Sequence, residues 1–229
     1  SREAFKTEAE VIVFCGVHFM AETAKILSPG KRVLLPFKGA GCPMADMADP
    51  EAIRALKAKH PDAVVVTYVN STAETKAEAD YCCTSANAQQ IVDSLGPDQK
   101  IIFAPDMNLG AWVTRHRPDN VILWPGYCPV HHRMTVQQVE AKRAEYPGAK
   151  FMVHPEAPME VLKLADAVES TGGMVTYVKV LEQGATLLVG TEAGMISRLK
   201  RERPDIHYVL VSHDTVCANM KRTKVFAAA

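Results

Sequence analysis

No CxxC pair occurs in this sequence, and no apolar stretch approaches the roughly 20 residues of a membrane-crossing helix. Charge of neither sign predominates: 26 Lys and Arg stand against 26 Asp and Glu. Each of these facts excludes something. Without a local Cys pair there is no zinc ribbon, so any metal site has to be assembled by tertiary folding. Without a basic surplus, neither nucleic acid nor an anionic membrane is the expected partner. The first apolar strand, VIVFCGV, is too short to span a bilayer, and SREAFKTEAE has no signal-peptide pattern. The expectation is a soluble, cytoplasmic protein whose 229 residues, 48% hydrophobic, suffice for one large or two ordinary domains.

Cysteine is present at positions 15, 42, 82, 83, 128 and 217. In a cytoplasmic chain, widely separated cysteines point to free, metal-bound or catalytic thiols rather than disulfides. Two of them open a Cys-Pro step in similar settings, GAGCPMA (39–45) and GYCPVHH (126–132), 86 residues apart. Cys217, in TVCANMK, follows 89 residues later. Shifting the sequence on itself by 86 lays 42–87 over 128–173 without a gap, so that Cys42 meets Cys128, Pro61 meets Pro147 and Asp80 meets Asp166. The register continues from 101–119 onto 187–205, and three residues are then inserted before Cys217. This period is a domain length rather than a solenoid repeat.

Within each unit, helical and strand patterns alternate. AIRALKAKH reads as an amphipathic helix, AVVVTYVN as a buried strand and STAETKAEA as a helix with Ser/Thr capping chemistry. DYCCTS, KIIFAP and VILWP read as further strands separated by the helices ANAQQIVDSL and LGAWVTRHR. The expected fold class is α/β, with parallel sheets and functional loops at the carboxyl ends of the strands. VIVFCGVHFMAETAKILSPGKRVLLP (11–36) pairs with the second half of a unit, so the chain is expected to open mid-repeat and to end short after Cys217. The expected division is 1–41, the remainder of a first unit; 42–127 and 128–216, two further units; and 217–229, a truncated return segment.

Cys42, Cys128 and Cys217 each follow an apolar strand. If three units pack around a pseudo-threefold axis, their sulfurs can converge. Three thiolates suit a [4Fe–4S] cluster with one iron left open as a Lewis acid. Three thiolates with a histidine, His131 or His132, would instead suit zinc, and three buried structural cysteines are the plain alternative. Cys82 and Cys83, adjacent in a short strand, and Cys15, within an apolar strand, read as structural. The basic stretches RVLLPFK and RLKRERPD read as solvated faces.

GVHFMAETAKIL, CPMADM, YVNSTAETKAEADYCCTSAN, CPVH, HPE, STGG, GTEAGM and CANMK together resemble quinolinate synthase, the iron–sulfur enzyme family of de novo NAD biosynthesis. The resemblance runs over nearly the whole chain. It implies three α/β/α Rossmann-like units around a pseudo-threefold axis, with Cys42, Cys128 and Cys217 as ligands of a [4Fe–4S] cluster. The implied reaction condenses iminoaspartate with dihydroxyacetone phosphate to quinolinate, phosphate and water. Iminoaspartate would come from an aspartate-oxidising enzyme. The family's N-terminal His-Asn-Tyr segment has no counterpart in these residues, and Ala157 stands where many members have cysteine.

The remaining candidates lie at matched strand ends. Tyr68 and Asn70 coincide with His154 and Glu156 under the 86-residue shift, and such a bed of polar groups is a plausible site. The resemblance makes Tyr68, His154 and Glu156 acid/base residues. It also implies that Val69, Asn70 and Pro155 bind substrate with them. Ser85 and Thr171 also coincide, at expected strand-to-helix turns where a hydroxyl and backbone N–H groups can bind an anion or simply cap the helix. The resemblance makes both dicarboxylate-binding, with Ser170 a further candidate. His131 is a substrate contact near the open iron or else a surface histidine. A different open-cluster dehydratase, or a non-enzymatic iron–sulfur sensor or inactive remnant, are the competing classes.

Overall fold

Val64–Tyr68 (VVVTY) and Ile101–Ala104 (IIFA) show no polar alternation, the pattern of strands covered on both faces. Val65, Ile102 and Ala104 pack on Ile53 of the helix Pro50–Lys59. Val66, Ile101 and Phe103 pack on the other face, with Val92 of Ala88–Ser94 and Leu109 of Met107–Val113. The period of two thus sends successive side chains into two separate cores.

The computed structural model describes residues 2–221. Its strands are β1 (Val11–Val13), β2 (Arg32–Leu34), β3 (Val64–Tyr68), β4 (Tyr81–Cys83), β5 (Ile101–Ala104), β6 (Val121–Leu123), β7 (Lys150–Val153), β8 (Ala167–Val168), β9 (Thr186–Gly190) and β10 (His207–Leu210). All pair in parallel, in the orders β1-β2, β4-β3-β5-β6 and β8-β7-β9-β10. The chain is therefore α/β with parallel sheets, as expected. The second and third sheets share one strand order and one register: Val64 faces Ile101 as Lys150 faces Leu187, 86 residues on. Ile101 faces Val121, but Leu187 faces Tyr208. One of the three inserted residues therefore lies before β10 and the other two lie between β10 and Cys217. Residues 222–229, including the closing VFAAA, lie outside the described residues.

The repeat extends to its fastenings. Asp80 accepts the Val65 N–H at 2.8 Å and pairs with Lys57; Asp166 accepts the Phe151 N–H at 2.8 Å and pairs with Arg143. Arg117 is buried and spreads its guanidinium over the carbonyls of Val92, Leu95, Gly96, Pro97 and Gln99, at the end of the helix Ala88–Ser94. Arg203, 86 residues on, does the same for Val178, Lys179, Leu181 and Glu182 after the helix Thr171–Val178. Lys31, 86 residues before Arg117, reaches the Ala4, Phe5 and Thr7 carbonyls after the helix Arg2–Lys6. Carbonyls left open at a helix end need donors, and each unit draws them from one cation. Arg203, in a stretch expected to be a solvated face, is thus a structural clasp.

Two other expectations shift. Cys15 lies beyond the end of β1 and is exposed, because VIVFCGV stops pairing at Val13. Of the vicinal pair, Cys83 is buried in the core while Cys82 is exposed at the edge strand β4.

Replacing Arg117 with Ala removes donors to five carbonyls. At roughly 2–4 kcal/mol for such a buried network, the thermal midpoint is expected to fall by roughly 5–15 °C. Arg117→Lys is expected to lose less, as Lys31 serves the first unit. Calorimetry showing no fall for Arg117→Ala would remove the clasp from the account of stability.

Candidate active site

Polar residues gather where the strands end. Tyr68 is the last residue of β3, His154 and Glu156 follow β7, and Thr191 follows β9. In parallel α/β sheets this edge is where ligands bind. Each of the three cysteines also lies beyond a strand of this kind, β2, β6 and β10.

A repeated backbone bridge places those cysteine loops. His18 N donates to Ala40 O, Met107 N to Gly126 O and Ala193 N to Thr215 O, each at 2.8 Å and each two residues ahead of a cysteine. At the middle loop the approach is close: a Cβ on Gly126 would collide with the Pro105 carbonyl. Cys42 and Cys128 each cap a short helix whose first residue is proline, Pro43–Asp46 and Pro129–His132. Proline is well suited there because the first helical N–H has no partner to lose.

Two carboxylates reinforce the loops. Asp106, fully buried, accepts the Leu109 N–H at 2.8 Å and the Cys128 N–H at 3.0 Å. Glu192, 86 residues on, accepts the Cys217 N–H at 3.3 Å. In the first unit the residue preceding the bridge donor is the buried Val17, which offers no acceptor side chain.

At the centre sits Glu156, 3% exposed. Its Oε1 accepts the Tyr68 hydroxyl at 2.8 Å, its Oε2 lies 2.8 Å from His131 Nδ1, and its main-chain carbonyl accepts from Asn108 Nδ2 at 3.0 Å. Asn108 Nδ2 also lies 3.0 Å from His132 Nδ1. His131 stacks on His154 with ring centroids 4.8 Å apart. At 7% exposure His131 is no surface residue. The His154 Nδ1 is buried without a hydrogen-bond partner among the described residues, since the nearest Glu156 oxygen is 3.9 Å away. An unpaired buried nitrogen of this kind is a place for a ligand to satisfy.

Electrostatics follow from burial. His154 is pushed down to about 4, by burial first and also by His131, against the pull of the Glu156 charge. Burial would raise Glu156, but the neighbouring imidazoles and the hydrogen bonds from His131 and Tyr68 hold it below the usual carboxylate range. Because His154 is uncharged near neutrality, those two hydrogen bonds keep Glu156 ionised there. Burial and the Glu156 charge push Tyr68 upward, opposed by a hydrogen bond from Ser85. They also push Asp106 upward. Cys42 is pushed up to about 11 and Cys128 higher still, mainly by burial and then by Glu156, while N–H groups at their helix starts oppose the shift. The Cys217 thiol adds to the rise at Cys42. A thiol held neutral in this way would ionise only beside a compensating positive charge.

One donor set among the described residues that could hold a metal is not purely thiol: Cys128 Sγ, His131 Nδ1 and a Glu156 oxygen all lie within 4.8 Å of one another. Tyr68, Ser85, His131, His154 and Glu156 are thus brought together, and Asp106, Asn108 and Thr191 join them without having been expected. Asp106 did carry a signal, since an acid recurs at Glu192 under the shift; Asn108 and Thr191 carried none. The other candidates are more peripheral. Ser170 caps the helix Thr171–Val178 through the Gly173 N–H at 3.0 Å, and Thr171 is exposed at its first position. Ser85, by contrast, reaches Tyr68 from ahead of its helix, which starts at Ala88. Val69 and Asn70 are half-buried just past β3, and Pro155 is buried between His154 and Glu156.

The family described as Quinolinate synthetase A protein matches residues 1–228. The quinolinate synthase of Pelobacter propionicus is 57% identical over 224 residues, 97% of this chain and 73% of that protein. That of Dehalococcoides mccartyi is 54% identical over 223 residues, with the same two shares. That of Geobacter sp. (strain M21) is 53% identical over 226 residues, 98% and 73%.

His154 is neutral in the fold down to about pH 4 and charges in the unfolded chain below its ordinary 6.5. Proton uptake by the unfolded state therefore lowers stability as pH falls from 6.5 towards 4, with no effect above that window. Denaturation at pH 7 and pH 5 is expected to show a loss of about 2 kcal/mol through this residue. His154→Leu is expected to be spared that part; equal losses in both proteins would acquit His154.

Proposed function

Because the chain belongs to the quinolinate synthetase A family, we propose that the cluster around Glu156 is the active site of a quinolinate synthase that condenses iminoaspartate with dihydroxyacetone phosphate, releasing phosphate and water. Quinolinate synthesis in NAD biosynthesis is the activity of this chain. The finer reading rests above all on one observation. The same backbone bridge, repeated three times, sets Cys42, Cys128 and Cys217 at equivalent positions beyond the strand ends.

Those three residues fit a [4Fe–4S] cluster. They are thiols in equivalent loops, and at Cys42 and Cys128 burial favours a neutral thiol until iron supplies the compensating charge. Bound there, the cluster would supply an open iron that polarises substrate oxygens as a Lewis acid. Three units about a pseudo-threefold axis, divided near 42, 128 and 217, would bring the cysteines to one centre. The chain's own residues do the rest. Glu156, ionised between two donors, can take a proton, and the Tyr68 hydroxyl or the His131 N–H can return one. His154, uncharged, offers its unpaired Nδ1 to the substrate. Asn70, Ser85, Ser170 and Thr171, with the main chain at Val69 and Pro155, would hold the dicarboxylate. Iminoaspartate, a hydrolysable imine, would come from an aspartate-oxidising enzyme in the same cytoplasm. No helix among the described residues is long and apolar enough to cross a membrane.

Anaerobic reconstitution is expected to load about four irons and four acid-labile sulfides per chain. Cys128→Ala is expected to lose them. The loaded protein is expected to form quinolinate from the two substrates. Zinc alone in the reconstituted protein would remove the cluster, and iron loading without quinolinate would remove the proposed reaction.

A further inference from the structure

Thr191 is 6% exposed, and no role has been given to it. Its Oγ1 lies 3.0 Å from His131 Nε2, while the other ring nitrogen, His131 Nδ1, faces two acceptors: a Glu156 oxygen at 2.8 Å and the Cys128 sulfur at 3.3 Å. A neutral imidazole has one N–H and one lone pair. If the hydrogen sat on Nε2, Nδ1 would turn a lone pair towards an ionised carboxylate at 2.8 Å, with only the weak S–H donor of Cys128 beside it. With the hydrogen on Nδ1, both acceptors share it, and Nε2 becomes an acceptor in need of a donor. Thr191 is the hydroxyl placed to serve as that donor. A hydroxyl can donate or accept, so it fits this position where a carboxylate or a backbone carbonyl would force the other tautomer.

We propose that Thr191 is a positioning residue that, together with Glu156, holds His131 in the tautomer presenting N–H to Glu156 and the Cys128 sulfur. The consequence for chemistry rests on the reading of the site as that of a quinolinate synthase, whereas the tautomer itself does not. Threonine supplies the donor from the end of β9, in the third sheet, to a histidine in the loop after β6, in the second. Under the 86-residue shift its counterpart is Pro105, which has no side-chain donor, and the counterpart of His131 is Ala45. The pair therefore has no counterpart 86 residues earlier, and it stands where it meets the Glu156 carboxylate. A hydrogen bond to a ligand sulfur also alters the electronics of an iron–sulfur centre, so Thr191 would act at second hand on Glu156 and on the cluster ligand together.

The test is histidine ring nitrogen NMR on the full chain, with the His131 signals assigned by their loss in His131→Asn. The wild type is expected to show the Nδ1–H tautomer. Thr191→Val, which keeps the shape and removes the donor, is expected to shift the Nε2 signal to that of an unbonded nitrogen and to weaken that preference, and Thr191→Ser to restore both. In the cluster-loaded protein, Thr191→Val is expected to lower kcat by about 10- to 100-fold with KM little changed, as for other residues that orient a histidine through its second nitrogen. Thr191→Ser is expected to recover most of that loss. N–H on Nε2 in the wild type, whether as the other tautomer or as the imidazolium, or a Thr191→Val protein with unaltered ring signals, overturns the proposal. Failure of the wild type to make quinolinate would overturn the reaction instead, since the ring signals are read without turnover.

Discussion

An ionised carboxylate removed from water has to be supplied with donors from its surroundings, and at Glu156 those donors come from different parts of the chain. Tyr68 reaches it from the end of β3, His131 from the loop beyond β6, and Asn108 holds its main-chain carbonyl from the helix after β5. Glu156 itself follows β7. The second and third sheets are thus joined by a polar seam around one negative charge. Removing any one donor leaves the charge under-compensated in a low-dielectric setting. Structure and chemistry are inseparable at this point.

Around that charge the molecule is built from one pattern used repeatedly. Comparing the repeats separates two kinds of residue. Where both copies keep the same chemistry, as with Asp80 and Asp166 or Arg117 and Arg203, the residues fasten strands and helix ends. Where the copies differ, as with Tyr68 against His154, Asn70 against Glu156 and Pro105 against Thr191, the residues belong to the site or its rim. The cysteine loops lie between these extremes. The bridge ahead of each cysteine is common to all three, whereas the carboxylate that holds the following N–H is Asp106 or Glu192 in two units and is replaced by Val17 in the first.

Much of this was legible in the residues. The apolar runs of β3 and β5, the capping chemistry of Thr72, which accepts the Thr75 N–H at 3.2 Å, and the 86-residue shift all follow from local pattern. The equivalence of Tyr68 and Asn70 with His154 and Glu156 at matched strand ends was legible too, whereas His131 was read either as a substrate contact or as a surface histidine. What was not legible depends on contacts between distant segments. Thr191 and His131 are 60 residues apart, and Asn108 meets the Glu156 carbonyl across 48, so no periodicity records either contact. Cys15 misled because apolar character continued past the point where β1 runs out of partner. Arg203 misled because a cation in a charged run looks the same whether it faces water or a row of carbonyls.

The three cationic clasps connect residues no more than 27 positions apart, while the bond from Tyr68 to Glu156 spans 88. Short loops close at small entropic expense and long ones later, once their ends are already shaped. The clasps therefore need only the chain close to them, whereas the Tyr68–Glu156 contact needs the ends of two sheets in place at once. A chain with its clasps closed and its sheets apart would have its helix ends fastened and Glu156 without the Tyr68 donor.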